Sequence, residues 1–313
     1  MFDFLNRINT LLKFPGQYFR YRKEPSRKFY YFISKFLHFR TRRARKPENF
    51  FDYSGLNGDF FLKNHLGFKF YDKDVLERND LKVEKLTNFI NEKIISNKLL
   101  SKNRDDSVNT IMKSDSFDEK SMVFKFVTSD FILKIVSKYL GCVPLLTHIS
   151  VWWSPNDKIY EQSSQFYHLD HEDYKQVKGF LFLSDIDEES GPLHAISSSQ
   201  SLKIQKKISY DMKDKNKRVL DKTINEFNLK NNRKLNIEKF VGKKGDLLLM
   251  DTSKCFHFGS RKSSKERLIL SFQFITPFAY HLRWNWMKSD FIFRNKISNS
   301  VPSLIEKIIG RSI

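Results

Sequence analysis

Cysteine is scarce in this chain. Cys142 and Cys255 are its only two, too few for a disulfide framework and in keeping with a reducing compartment. No stretch of roughly 18 apolar residues runs without interruption, so no transmembrane helix is expected. The first residues lack the basic start, continuous apolar run and small-residue cleavage site of a secretory leader, so none is expected. No internal repeat is present. Acidic residues are few beside basic ones, 36 against 56, for a net charge of +20. These absences point to a cytoplasmic protein, peripheral at the membrane if the basic excess is used there. At 313 residues and 40% apolar, the chain can bury the core of one large domain with appendages.

The basic excess is uneven. Residues 1–47 hold thirteen Lys and Arg against Asp3 and Glu24. Such asymmetry asks for an anionic partner, unless it is only the basic tail of a lysine- and asparagine-rich chain. Phe4, Leu5, Ile8, Leu11 and Leu12 share one helix face, stopped near Pro15. Aromatics mixed with arginines then run from Tyr18 to Phe39. This end has three readings: it packs on the core, it lies on an anionic membrane, or, less favoured, it binds single-stranded nucleic acid.

Further on, residues 67–71 read as a short strand. Leu81, Val83, Leu86, Phe89, Ile90, Ile94 and Ile95 predict an amphipathic helix from Asn79 or Asp80. Residues 101–121 are polar and predict a loop. A second helix, capped by Thr128 or Ser129, runs through Phe131, Ile132, Ile135, Val136 and Tyr139 to a stop at Gly141. From Leu145 the apolar period changes to two, predicting strands at 145–153, 164–170, 177–184, 191–196, 246–251, 255–260 and 267–276. Several short strands parted by turn signals favour a barrel or sandwich. Residues 202–240 interrupt them with a charged, helical insert carrying Val219, Leu220, Ile224 and Phe227, either a lid or surface elaboration. The expected division is a basic aromatic segment 1–50, a domain 51–280 containing that insert, and a tail 281–313 ending in a short helix near Pro302–Ile309.

His168 and Asp170 carry the chemistry. Two residues apart on an extended strand, their side chains share a face. An imidazole and a carboxylate so placed are two thirds of a facial His/carboxylate/His iron(II) site. His257 is the candidate for the second imidazole, since no other histidine lies at a strand end with an arginine downstream. Arg267, ten positions further, could grip the distal carboxylate of a metal-bound 2-oxo acid with a two-pronged charged fork. His171 competes with His168, but a continuing strand turns it away from Asp170. Lys178, His194 and Trp153 are candidates for the substrate pocket. Trp152 and Trp153 alternate in direction, so only one of them faces inward. Lys178 could equally be a snorkelling barrel lysine, His194 could be structural, and Cys255 is expected to be buried and inert.

A lone His-x-Asp is common, but the order of features here is specific. A helix ending in Gly141 is followed by His168-x-Asp170, the strand Lys178–Asp185 and the turn Ser190-Gly191-Pro192. Gly245-Asp246 then opens the strand that leads to His257 and Arg267. Over residues 122–280, about half the chain, this order resembles the phytanoyl-CoA dioxygenase-like family of iron(II)/2-oxoglutarate oxygenases. Tyr167 stands where the family usually has Trp, Ser197–Gln200 where it has PGSH, and Ile269 where many relatives have Ser. The resemblance implies a mainly β, α+β fold with a double-stranded β-helix (jelly-roll, cupin-like) core. It also implies iron(II) on His168, Asp170 and His257, 2-oxoglutarate anchored by Arg267, and oxidative decarboxylation to succinate. A carboxylate at 170, rather than a small residue leaving room for halide, implies hydroxylation. The substrate, small-molecule or lipid-linked, does not follow from the resemblance. Nucleic-acid or protein hydroxylation or demethylation uses the same triad, and a barrel that only binds is the non-enzymatic alternative. A ring of residue 257 lying more than about 6 Å from the 168/170 pair would exclude a shared ion.

Overall fold

The computed structural model describes residues 15–101, 108–155, 163–210, 218–231, 235–261, 263–278 and 302–310. Its strands are β1 (Phe68–Tyr71), β2 (Asn109–Met112), β3 (Leu145–Ser154), β4 (Gln176–Phe182), β5 (Leu193–Ile196), β6 (Ile237–Phe240), β7 (Leu247–Met250), β8 (His257–Phe258) and β9 (Arg267–Ile275). They form a six-stranded sheet in the order β1-β7-β4-β9-β3-β2 and a three-stranded sheet in the order β6-β5-β8, with every pairing antiparallel. His168 continues the small sheet by bridging to His257. From β3 onward the chain visits the sheets as large, small, large, small, small, large, small, large. That winding is a double-stranded β-helix, the core expected for a mainly β chain with flanking helices.

Strand alternation sorts the side chains. On β4, Val177 and Leu181 join the large outer core, while Phe180 and Phe182 turn inward between the sheets. On β9, Leu270, Phe272 and Phe274 go outward and Ile269 inward. Helices Val83–Ser96, Met122–Val127 and Asp130–Leu140 cover the outer face with Leu86, Ile90, Val127 and Ile135. Each such side chain, fully buried, contributes about 1.5–3 kcal/mol. Gly141 ends the last helix with φ +72°, a left-handed conformation that a glycine adopts without penalty. A Cβ at Gly179 would sit 2.0 Å from Cζ of Phe272, so only glycine lets that ring cross β4.

Several expectations are corrected. Residues 164–170 form no ladder strand. A 3-10 turn over Ser163–Gln165 leads into extended chain that pairs in turn with Val219, His257 and Thr252, three partners on separate segments. The described part of the expected loop 101–121 contains β2, an edge strand on β3. The stretch 202–240 contains helix Asp221–Asn231 but closes with β6, which pairs with β5 in the small sheet. The amphipathic helix expected from Asn79 or Asp80 starts at Val83, after a separate helix Lys73–Arg78.

Residues 24–47 dock on the core: Arg27, Tyr31, Ser34, Arg45 and Pro47 are buried, and Arg45 donates to the carbonyls of Val143 (3.2 Å) and Lys307 (2.9 Å). The closing helix Ser303–Ile308 buries Ile308 and Ile309 against the same core. No helix among the described residues is long and apolar enough to cross a membrane. The amphipathic stretch Phe4–Leu12 and the start of the tail from His281 lie outside the described residues.

Candidate metal centre

His168 and His257 exchange both backbone hydrogen bonds, N–H to O at 3.1 Å each way. Residues directly opposite in such a pair project their side chains to the same face. Their ring centroids lie 4.2 Å apart, inside the limit set for a shared ion. Asp170 N–H donates to the Thr252 carbonyl at 2.9 Å, which brings its carboxylate alongside. His168 Nε2 is 3.8 Å from Asp170 Oδ1, and His257 Nε2 is 3.9 Å from Asp170 Oδ2. One ligand atom from each residue lies within 4.8 Å of the others.

The tautomers follow from the partners. Nδ1 of His168 lies 2.9 Å from the Phe166 carbonyl, and Nδ1 of His257 lies 2.9 Å from the Cys255 carbonyl. A carbonyl only accepts, so each Nδ1 carries the hydrogen and each Nε2 presents its lone pair to the site. Burial, and then the neighbouring His257, holds His168 down to about 3; burial also lowers His257. Both rings are therefore neutral at physiological pH. Burial alone would raise Asp170, but the Lys178 ammonium beside it outweighs burial and holds the carboxyl well below its ordinary value. Two neutral imidazoles and one carboxylate on one side, with the opposite side open, fit a divalent borderline metal such as iron(II).

These groups open into a cavity of about 390 Å³. Arg267 lies in its wall, at the start of β9. Its guanidinium donates to the Gly191 carbonyl (2.7 Å) and to Ser260 Oγ (3.1 Å), and more weakly to Ser154 Oγ (3.4 Å). Nε has no partner, and burial lowers the group to about 10. A buried guanidinium without a carboxylate is a site for an incoming anion. Gly191, at φ +61°, turns the carbonyl that orients it.

Lys178 lines the cavity, as expected, with its Nζ 2.6 Å from Asp170 Oδ2. Burial lowers Lys178, but Asp170 and Glu172 more than compensate and raise it. The tryptophans are placed by register. Trp152 opposes inward-facing Ile269 and lines the cavity, whereas Trp153 opposes Leu268 and is buried outside it, which corrects Trp153 as the pocket residue. His194 is also outside the cavity, stacked on Phe258 at 4.6 Å with Nδ1 against the Pro192 carbonyl. His171 reaches the rim, where Arg20 donates to its carbonyl and Tyr21 packs on its ring.

Thr110 and Arg218 also line the cavity, and nothing local in the sequence marks them. Arg218 is carried by the insert and held in place by the bridge between Val219 and Tyr167. Among the described lining residues Asp170 is the one acid, against Lys178, Arg218 and Arg267.

No family model and no curated protein matches this chain. Among solved structures, HygX from Streptomyces hygroscopicus with nickel and 2-oxoglutarate bound is similar at 13% identity and a TM-score of 0.45, over 68% of this chain and 83% of its own. The non-heme alpha ketoglutarate dependent carbocyclase SnoK from nogalamycin biosynthesis is similar at 11% and 0.47, over 72% and 86%. AviO1 from Streptomyces viridochromogenes Tue57 is similar at 11% and 0.42, over 69% and 92%. Likeness at this level bears on neither the chemistry nor the substrate.

Proposed function

We propose that this chain is an iron(II)/2-oxoglutarate-dependent dioxygenase, akin to the phytanoyl-CoA dioxygenase-like enzymes, that hydroxylates a small-molecule or lipid-linked substrate bearing an anionic group. One observation carries the reading: His168, Asp170 and His257 converge with both Nε2 lone pairs freed, in the cavity that also holds the carboxylate-free guanidinium of Arg267. Bound iron(II), with 2-oxoglutarate and dioxygen, supplies oxidation of a substrate C–H bond while 2-oxoglutarate leaves as succinate and carbon dioxide. His168, Asp170 and His257 hold the ion, and Lys178 fixes the rotamer of Asp170. Arg267 takes the distal carboxylate of 2-oxoglutarate as a charged hydrogen-bond donor. Trp152, Phe180 and Ile269 make the wall apolar and keep water from the reacting centre. Arg218, which lines the cavity and makes no hydrogen bond to the other described residues, attracts the anionic group of the substrate.

The test is succinate release from 2-oxoglutarate without any added substrate. Iron-dependent release that disappears in His257→Ala supports the reading, and no release with iron loaded contradicts it. One observation favours a second reading, a binding module without turnover: the Lys178 ammonium already neutralises Asp170 with no ion needed. Anion binding in the cavity, without metal binding or succinate release, would establish it.

A further inference from the structure

Helix Glu24–Leu37 is amphipathic with the wrong face inward. The side chains it buries on the protein are Arg27 (1% exposed), Tyr31 and Ser34 (3%). The side chains it turns to solvent are Phe29, Phe32 (58%), Ile33, Phe36 (78%) and Leu37 (69%), and Phe39 of the next helix, Phe39–Ala44, extends them. Positions 29, 32, 33, 36 and 37 follow the i, i+3, i+4, i+7, i+8 spacing of an apolar stripe that normally meets a core. Arg27 is not stranded by the inversion, since its guanidinium donates to Gln205 Oε1 at 3.0 Å. Scattered exposed apolar residues need no explanation, but a contiguous stripe of large ones marks an interaction surface.

The partner follows from the rim. Lys28, Arg40, Arg42, Arg43 and Lys46 are exposed beside the stripe, and no acidic residue occurs between positions 25 and 47. A second copy seated on this face would bring the same cations together. An anionic lipid surface offers both apolar depth and opposite charge, the combination that holds an amphipathic helix in a membrane interface. We infer that helices Glu24–Leu37 and Phe39–Ala44 form a membrane-docking element that inserts Phe29, Phe32, Phe36 and Phe39 into an anionic bilayer surface, with the arginines at headgroup level. The preceding chain ties this element to the cavity, because Arg20 donates to the His171 carbonyl at 2.8 Å and Tyr21 lies 5.0 Å from the His171 ring. Docking thus holds the cavity rim close to the lipid, whatever reaction the site performs.

Flotation of the full chain with phosphatidylcholine vesicles, with and without phosphatidylglycerol, tests this. Capture is expected on the anionic vesicles and at least tenfold less on the neutral ones. Phe32→Ser/Phe36→Ser, which alters only exposed side chains, is expected to keep its thermal midpoint and lose at least tenfold in capture. Arg40→Glu/Arg42→Glu/Arg43→Glu is expected to abolish the preference for anionic lipid. No capture of the full chain would overturn the inference and leave the stripe to another segment of the same chain. Capture undiminished in Phe32→Ser/Phe36→Ser would also overturn it, as would a concentration-dependent dimer that this variant disrupts, since the face would then belong to a second copy.

Discussion

Lys178 Nζ and Asp170 Oδ2 lie 2.6 Å apart, a nearly buried ion pair between β4 and the ligand segment. Without a metal, Lys178 is the principal charge partner of the ligating carboxylate. Removing one member of a buried pair strands the other, at a cost of about 3–5 kcal/mol. Lys178→Met, of similar length, is therefore expected to lower the stability of the metal-free protein by about 3 kcal/mol. A divalent ion would restore a charge partner, so nickel(II) should raise the melting temperature of the variant more than that of the parent. Thermal unfolding of both proteins with and without nickel(II) checks this; equal metal-induced shifts would show that the pair does not govern Asp170.

Arg267 is oriented by the Gly191 carbonyl and Ser260 and has no carboxylate partner among the described residues. Arg267→Gln is expected to weaken 2-oxoglutarate binding about 100-fold, the equivalent of a charged two-pronged contact of roughly 3 kcal/mol. Arg267→Lys should recover only part of that, because a point charge lacks the fork. Calorimetric titration with 2-oxoglutarate in the presence of metal gives the values. Unchanged affinity in Arg267→Gln would place the co-substrate elsewhere.

Asp173 lies at the far end of β9, with Oδ2 accepting from Thr276 N (2.8 Å) and Oγ1 (2.6 Å) and Oδ1 from Tyr174 N (2.6 Å). Burial pushes its carboxyl up to about 7 against the pull of these three donors. The folded chain then binds the proton at pH values where the unfolded chain has lost it. This contribution is complete below the ordinary value of 3.8 and is lost as the pH rises through about 7. Its size is on the order of 4 kcal/mol at most. Asp173→Asn stays neutral, so the stability of the variant relative to the parent should rise between about pH 5 and about pH 8. Urea unfolding at both values checks the sign, and a constant difference would contradict it.

The basic N-terminal segment carries more than charge. Tyr31 packs on Tyr174 at 4.8 Å, and Arg45 satisfies the carbonyls of Val143 and Lys307. Deleting residues 1–47 is expected to cost about 5 kcal/mol, from lost burial and two stranded carbonyls. An unchanged urea midpoint would make the segment a mere appendage.

What could be read from the residues, and what could not, follows from range. The period-two spacing of His168 and Asp170 survives although their segment forms no ladder, because extended backbone alternates whichever strand it pairs with. Gly141 and the helix before it are local features and were legible. The choice between Trp152 and Trp153 depends on register with β9, which shifts at an irregularity between Leu146 and His148 that no local pattern signals. β2 is a four-residue edge strand in polar surroundings, and only its pairing with β3 defines it. The grip of Lys178 on Asp170 needs β4 folded back beside the ligand segment, and Arg218 reaches the cavity through a pairing 52 positions along the chain, Tyr167 with Val219. The apolar stripe of helix 24–37 is written in the sequence; that it faces out is decided by what the core accepts.

The central claim is that two imidazoles and one carboxylate bind a single ion. Calorimetric titration of the full chain with nickel(II), a redox-stable stand-in that binds such sites more tightly than iron(II), measures it directly. The expected result is one ion per chain, abolished by His168→Ala and by His257→Ala and retained in Arg267→Gln. Binding that survives both histidine substitutions, or no binding by the parent, would contradict it.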